Sequence, residues 1–300
     1  MNATLTVFTP TYNRAHTLHK CYESLLRQTC SDFVWLIVDD GSDDSTRELV
    51  KSWLELDTLP IRYYYQKNQG MHGGHNSAYR LATTELCMCV DSDDYLADNA
   101  VEEIVEKWVQ AGSEKYAGMV CHNSFPSGEI VGKPLPDEMI DTKFKNVYYN
   151  YRHDKKYVYR REVFNKYPDY PIFPGEKLTP LSCKYFMIDE DYLLLVVNKV
   201  VCIVEYMEDG STKNIFNHYR LNPNGIKYVK NLEMVVGLGF FHRMKASTHY
   251  VAANIRLKKW GLIRDARSKI LTCAALVPGA ILYLYINCTK RRNSGVLPVE

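Results

Sequence analysis

Apolar and polar positions alternate in blocks along the first third of the chain. Residues 4–9, TLTVFT, are β-branched and apolar and stop at Pro10, which predicts a strand and its end. Leu18, Cys21, Tyr22 and Leu25 then recur at i, i+3, i+4 and i+7, the spacing of an amphipathic helix. Residues 33–38, FVWLIV, are continuously apolar and suit a strand covered on both faces. Leu49, Val50 and Trp53 mark a second helix, and Ile61–Tyr65 a third strand. After a glycine-rich loop, Gly70–Gly74, a helix runs through Ala78, Leu81 and Ala82. Residues 86–90 give a fourth strand. Val101, Ile104, Val105 and Trp108 give a fourth helix, with Asp98 as its N-cap and Gly112 as its stop. Four alternations within 112 residues predict a doubly wound, mostly parallel α/β sheet with helices on both faces. Ligands of such sheets bind beyond the carboxyl ends of the strands, where this chain carries Asp39, Asp40, Asp91, Asp93 and Asp94.

The pattern then loosens. Residues 116–160 read as strand and loop rich in tyrosine, and PIFPGEK at 171–177 as a turn punctuated by Pro and Gly. Leu181–Val197 reads as a helix, VVCIVEYM at 200–207 as a strand, and the chain from about 226 as helical. The expected organisation is an α/β domain over 1–225, followed by a mainly helical C-terminal extension over 226–300. Within the domain, 1–112 forms a nucleotide-binding half and 113–225 an acceptor half.

Composition adds exclusions. The 300 residues are 46% hydrophobic and 24% charged, as in a folded globular chain. A formal charge of +2 gives no basic excess for nucleic acid. The nine cysteines form no CxxC pair, which argues against a zinc site or a disulfide framework. With a first strand entered at once and no leader pattern, this points to a reducing, cytoplasmic compartment. Tyrosine is abundant at 23 residues, mostly for core packing, though such rings also line sugar and nucleotide sites.

The acids at the strand ends carry the chemistry. Asp91 and Asp93, in the stretch VDSDD, project the same way from a strand end. Two close carboxylates stay ionised cheaply only if a cation neutralises them. Mn²⁺ or Mg²⁺ suits that role, taking one or two carboxylates together with phosphate oxygens and water. Asp39, in DDGS, can accept an N–H of a nucleobase, while Gly41 serves the turn and Ser42 or Asp44 caps the next helix. Tyr12 can stack on a base, with backbone near Pro10 beside it. The Gly70–Asn76 stretch opens a helix, so its N–H groups can meet phosphate or sugar oxygens. It is neither GxGxxG nor a P-loop, which counts against dehydrogenases and NTPases.

TVFTPTYNR, FVWLIVDDGSDDST, the Gly70–Asn76 loop and VDSDD, in this order and spacing, resemble the family 2 glycosyltransferases of the GT-A fold, bacterial type. The match is close over residues 4–112 and loose beyond. The resemblance implies an inverting transfer from a nucleotide-sugar donor, commonly UDP-linked, to an acceptor hydroxyl in polysaccharide or surface-glycan synthesis. By the same resemblance Pro10, Tyr12 and Asp39 hold the base and ribose, with Gly73 and Asn76 beside the donor. Asp91 and Asp93 form the DxD-type motif for ribose, diphosphate and metal, and Asp94 is a further candidate ligand.

An acceptor hydroxyl needs a base to take its proton. The family supplies one from a Gly-Glu-Asp-like segment, and the nearest match here is Gly175-Glu176-Lys177, in which lysine replaces the second acid. Glu176 is the first candidate base, with Asp189 and Asp191 in reserve. The segment 205–211, EYMEDGS, resembles one that precedes a polar loop in some bacterial members and could reach the acceptor or diphosphate. The apolar stretch 270–286, preceded by Lys258, Lys259, Arg264, Arg267 and Lys269 and followed by Lys290-Arg291-Arg292, suits docking on the inner leaflet of the plasma membrane beside a lipid-linked glycan acceptor. A helix packed on the domain, or a homodimer contact, fits it equally. The alternatives in other classes are a sugar-nucleotide nucleotidyltransferase and an inactive nucleotide- or glycan-binding protein.

Overall fold

A computed structural model of the chain describes residues 3–151, 154–205 and 215–293. The chain divides into two compact units: Met1–Asp169 with Met187–Tyr206, and Tyr170–Phe186 with Met207–Glu300. The units therefore interleave along the chain, whereas the apolar pattern suggests one division near 225/226.

The first unit begins with β1 (Leu5–Thr11), α1 (Ala15–Leu26), β2 (Phe33–Asp39), α2 (Thr46–Leu56), β3 (Ile61–Tyr65), α3 (Met71–Leu81) and β4 (Leu86–Cys89). It continues through β5 (Tyr95–Leu96), α4 (Ala100–Ala111), β6 (Tyr116–Ser124), β7 (Asp141–Thr142), α5 (Phe144–Asn150), β8 (Lys155–Arg160) and α6 (Arg161–Lys166). Later, α7 (Ser182–Asp191) runs into β9 (Leu193–Ile203), which returns to the sheet. The sheet order is β3-β2-β1-β4-β8-β6-β9-β5, with β7 paired to β9. The first four strands are parallel, as the alternating pattern predicts. Beyond β4 the sheet is mixed: β8 runs antiparallel to β4 and β6, while β6 and β9 are parallel.

The apolar runs explain the layers. Every residue of β6 is buried, and β2 is buried at all but Val34. Trp35 is fully buried, and its indole N–H donates to Thr9 Oγ1 at 3.0 Å, which ties β2 to β1 through a satisfied polar atom. Tyr22 from α1 stacks on Trp53 from α2 at 4.4 Å, holding the two helices on one face. At Gly118 the backbone of β8 approaches so closely that a Cβ would lie 1.9 Å from the Val158 carbonyl oxygen, so only glycine fits.

Four sequence expectations shift. The first strand does not stop at Pro10 but continues in register with β2 to Thr11. The Gly70–Gly74 stretch is not a loop: α3 starts at Met71 and takes both Gly73 and Gly74 into its first turns. Asn99, not Asp98, stands before α4, and the Asp98 carboxylate instead accepts from Arg27 Nε at 3.0 Å. The helix read over 181–197 ends at Asp191, because LLLVV at 193–197 pairs with β6 and β-branched side chains favour that pleated surface. Gly112 does end α4.

The second unit is helical: α8 (Ile215–Leu221), α9 (Pro223–Val236), α10 (Gly239–Arg256), α11 (Leu262–Asp265), α12 (Lys269–Ala274) and α13 (Leu276–Asn293). Met234, Tyr250, Val251, Leu262 and Ala275 form its core. Gly279 lets α13 approach α10, since a Cβ there would come within 2.5 Å of Val251. The apolar tail breaks at Ala275 rather than at Pro278-Gly279, and Pro278 is tolerated because it lies in the first turn of α13. Among the described residues no helix is long and apolar enough to cross a membrane. The expected strand residues 206 and 207, the rest of the segment to Ser211, and the side chains of Lys290, Arg291 and Arg292 lie outside the described ones.

Candidate active site

The register aligns the acids at one edge of the first unit. Thr11 pairs with Asp39 and Asp39 with Tyr65, so β1, β2 and β3 end level. Val90 continues β4 through a hydrogen bond from its N–H to the Phe8 carbonyl, and Asp91 follows at once. Of the sequence-predicted site residues, Pro10, Tyr12, Asp39, Gly73, Asn76, Asp91, Asp93, Asp94 and Asp191 belong to this unit, and Glu176 to the other.

Asp39 is fully buried yet satisfied. One carboxylate oxygen accepts the Ser42 N–H at 2.8 Å and the other accepts the Tyr63 hydroxyl at 2.6 Å. Burial, and then the hydrogen bond to Asp39, push the Tyr63 phenol pKa upward, so it stays a donor. Each Asp39 oxygen keeps acceptor capacity beyond those bonds. Asp40 braces the neighbouring loop: it accepts from Gln66 Nε2 at 2.7 Å, Gln69 N at 2.8 Å and Gly70 N at 2.7 Å. Ser77 in turn donates to Gln66 Oε1 at 2.5 Å, which locks that loop onto α3. Gly74 rests on Pro10, where a Cβ would lie 3.0 Å from the proline Cβ. Gly73 is required by a contact inside its own turn, where a Cβ would meet Gln69 Cβ at 2.3 Å. Asn76 is buried on α3, as are His72 and His75, and His75 meets the Phe8 ring edge-on at 5.0 Å. Tyr12 is half exposed.

The loops after β1 and β2 are fastened together. Asn13, at φ 54°, donates through Nδ2 to Asp43 at 2.6 Å and receives the Asp43 N–H on Oδ1 at 2.9 Å. Asp44 caps two helices at once, accepting from Ala15 N of α1 at 3.2 Å and from Thr46 N of α2 at 3.0 Å. Desolvation pushes the Asp44 carboxyl up, and the bonds from Thr46 and Ala15 together outweigh that, so its pKa falls below the ordinary value. Ser45, and neither Ser42 nor Asp44, stands immediately before α2; Asp44 reaches the Thr46 N–H from one residue further back.

Residues 91–94 form a turn closed by the Asp94 N–H to the Asp91 carbonyl at 3.0 Å. Asp91 and Asp93 are partly exposed, whereas Asp94 is buried against Lys156 of β8, Nζ to Oδ2 3.6 Å. Burial, with repulsion from Asp91 and Asp93, pushes the Asp94 carboxyl up to about 7 in spite of the ammonium beside it. For Lys156, burial works against the charge, yet the acidic groups around it hold its pKa above the ordinary lysine value. Asp94, read as a candidate metal ligand, is therefore engaged with an internal cation. Among the described residues no three His, Cys, Asp or Glu side chains come together to hold a metal by themselves. Asp91 and Asp93 still fit Mn²⁺ or Mg²⁺, since those ions accept two carboxylates when phosphate oxygens and water complete the shell.

Of the base candidates, Glu176 is buried and has its carboxylate occupied. It accepts Asn224 N at 2.9 Å, Asn224 Nδ2 at 2.8 Å and Gly225 N at 2.9 Å, capping the first turn of α9. Asp189 caps α5, accepting the N–H groups of Phe144 and Lys145. Asp191 is exposed at the end of α7, and one of its oxygens accepts the Tyr167 hydroxyl at 2.5 Å. Lys143 fixes that helix end by donating to the carbonyls of Asp189 at 2.6 Å and Tyr192 at 3.0 Å. Lys156, Tyr63, Lys143 and Tyr167 escape sequence reading, because each acts through a partner distant in the chain.

A mixed α/β sheet with acids gathered at the ends of β2 and β4 defines a GT-A type glycosyltransferase fold. The family model described as Glycosyl transferase family 2 matches residues 6–168, and the chain belongs to that family. Glycosyltransferase GlyA of Streptococcus pneumoniae is 30% identical over 146 residues, 49% of this chain and 20% of that protein. The chain thus spans about a fifth of that relative's length. In fold it is similar to S. aureus TarS in complex with UDP-GlcNAc, with a TM-score of 0.62 at 15% identity over 98% of this chain and 93% of the other. It is likewise similar to the mannosyltransferase PcManGT from Pyrobaculum calidifontis in complex with GDP-Man and Mn²⁺, with a TM-score of 0.56 at 18% identity over 95% and 81% of the two chains.

Proposed function

We propose that the chain moves a sugar, with inversion, from a UDP-linked donor to a hydroxyl of a glycan or lipid-linked glycan in bacterial surface polysaccharide synthesis. The observation that carries this reading is that buried Asp39 and partly exposed Asp91 and Asp93 stand at the carboxyl ends of β2 and β4, the two strands that flank β1. Asp39, held by Ser42 and Tyr63, accepts a base N–H, and Tyr12 stacks on the base. Asp91 and Asp93 would hold Mn²⁺ or Mg²⁺, which when bound supplies Lewis-acid neutralisation of the diphosphate. Neighbours of the same fold carry UDP-GlcNAc, and GDP-Man with Mn²⁺, which supports a nucleotide-sugar donor.

For the base, Glu176 is the first candidate and Asp191 the reserve. Asp191 is exposed and accepts from Tyr167, but it precedes β9 and lies level with the amino end of β4, at the sheet edge opposite Asp39 and Asp91. Glu176 accepts three hydrogen bonds at the start of α9, which fix its carboxylate and leave one acceptor position. Glu176 would take the proton of the acceptor hydroxyl as it attacks the anomeric carbon, and donor diphosphate leaves on the opposite face.

The test is a screen of UDP- and GDP-sugars with Mn²⁺, reading donor hydrolysis and transfer to acceptor extracts. Glu176→Gln is expected to keep UDP binding and lower transfer per folded molecule by at least about 100-fold, beside its cost in thermal stability. Asp191→Asn is expected to leave transfer near that of wild type. Transfer surviving in Glu176→Gln and lost in Asp191→Asn would move the base to Asp191. Binding with no turnover of any donor would instead mark an inactive nucleotide-binding protein.

A further inference from the structure

The helices of the second unit carry a second surface. On α12 and α13 the inward side is set by Thr272, Ala275, Gly279 and Ile286, all buried. The opposite side presents Ile270, Val277, Ile281 and Leu284, at 84%, 70%, 62% and 60% exposure. Their spacing of seven, four and three residues is one helical stripe. Only Ala275 separates the two helices, and it is itself in the right-handed helical region, so the stripe runs across the break. Trp260, at 78% exposure, adds an indole to the loop between α10 and α11.

The charge along the same stretch of chain is one-sided. Between residues 239 and 288 the only acid is Asp265, whereas Arg243, Lys245, Lys258, Lys259, Arg264 and Lys269 are all exposed. The whole chain is only +2, so this excess is local.

We propose that this face of α12–α13, with its cationic surround, docks in the plane of an anionic lipid bilayer. Exposed aliphatic side chains enter the acyl boundary, an indole settles at headgroup level, and lysines and arginines neutralise lipid phosphates. The helices lie on the bilayer, since none described is long and apolar enough to cross it. A two-fold contact between copies would bring the same cations face to face, which the charge disfavours. The inference rests on this face alone and stands whether or not the chain transfers a sugar.

Flotation of the full chain with phosphatidylcholine vesicles, with and without phosphatidylglycerol, tests it. Binding is expected only to the anionic vesicles and should weaken as salt rises. Ile281→Asp with Leu284→Asp should lower partitioning at least about tenfold, since it puts charge into the acyl boundary. Lys258→Glu, Lys259→Glu and Arg264→Glu together should lower it by about 100-fold or more, at roughly one contribution of fivefold per charge. Both variants should keep the wild-type circular dichroism and melting temperature. Failure to bind anionic vesicles, equal binding to neutral ones, or wild-type binding by the Asp variant would each overturn the proposal. So would a concentration-dependent dimer that Ile281→Asp dissociates while vesicles capture nothing.

Discussion

Lys156 sets a fixed positive charge against the acidic turn at 91–94, and its ammonium is as deeply buried as the carboxylate it faces. Removing one partner of a buried pair leaves the other charge uncompensated, which costs about 3 kcal/mol. Lys156→Met should therefore destabilise the protein by about that much in urea unfolding, and adding Asp94→Asn should recover a large part of it. If the two losses simply add, the pair is not coupled. The aspartates themselves are legible in VDSDD, but their counter-charge is not. Lys155 and Lys156 are adjacent on one strand and both are buried, so no alternation of polar and apolar positions marks either as inward. The separate roles of Asp189 and Asp191 are hidden for a related reason. Asp189, Glu190 and Asp191 look alike in sequence, and only the α5 cap on Asp189 and the Tyr167 bond to Asp191 tell them apart.

Elements followed the pattern where period and punctuation agreed. β2, α1, α2 and α4 each form where the spacing predicts them, whereas β1 runs on through Pro10, the residue read as its stop. The α7–β9 junction failed because only Tyr192 separates the two, with no turn residue to mark the change of period. The structure marks it instead by reciprocal caps, in which Asp189 serves the start of α5 and Lys143 the end of α7. Within α10, His249 lies against Tyr219 at 5.0 Å. Burial, reinforced by Lys230 and Lys245, lowers its pKa from 6.5 to about 3. Below pH 6.5 the unfolded chain binds a proton that the folded chain refuses, so this residue makes stability rise with pH between about 3 and 6.5. Melting temperatures across that window should fall less steeply on acidification for His249→Leu than for wild type. Parallel curves would show that His249 does not titrate on unfolding.

For the molecule as a whole, donor binding should register as stability. At about 100 times its dissociation constant a ligand that binds only the folded state adds about 2.7 kcal/mol. UDP with Mn²⁺ should therefore raise the melting temperature, and UDP with chelator should not. Asp93→Asn should abolish the difference, and a shift independent of metal and of Asp93 would remove the assignment of Asp91 and Asp93. The interleaving of the two units has a further consequence, for biosynthesis. The family-matched stretch ends at residue 168, but β9, which pairs along β6, begins only at Leu193. A nascent chain that has delivered every recognised motif still presents β6 with an open edge of nine residues. The first unit can close only after the 170–186 segment of the second has emerged, so release from the ribosome, and any attempt to excise a minimal domain, must extend past Ile203.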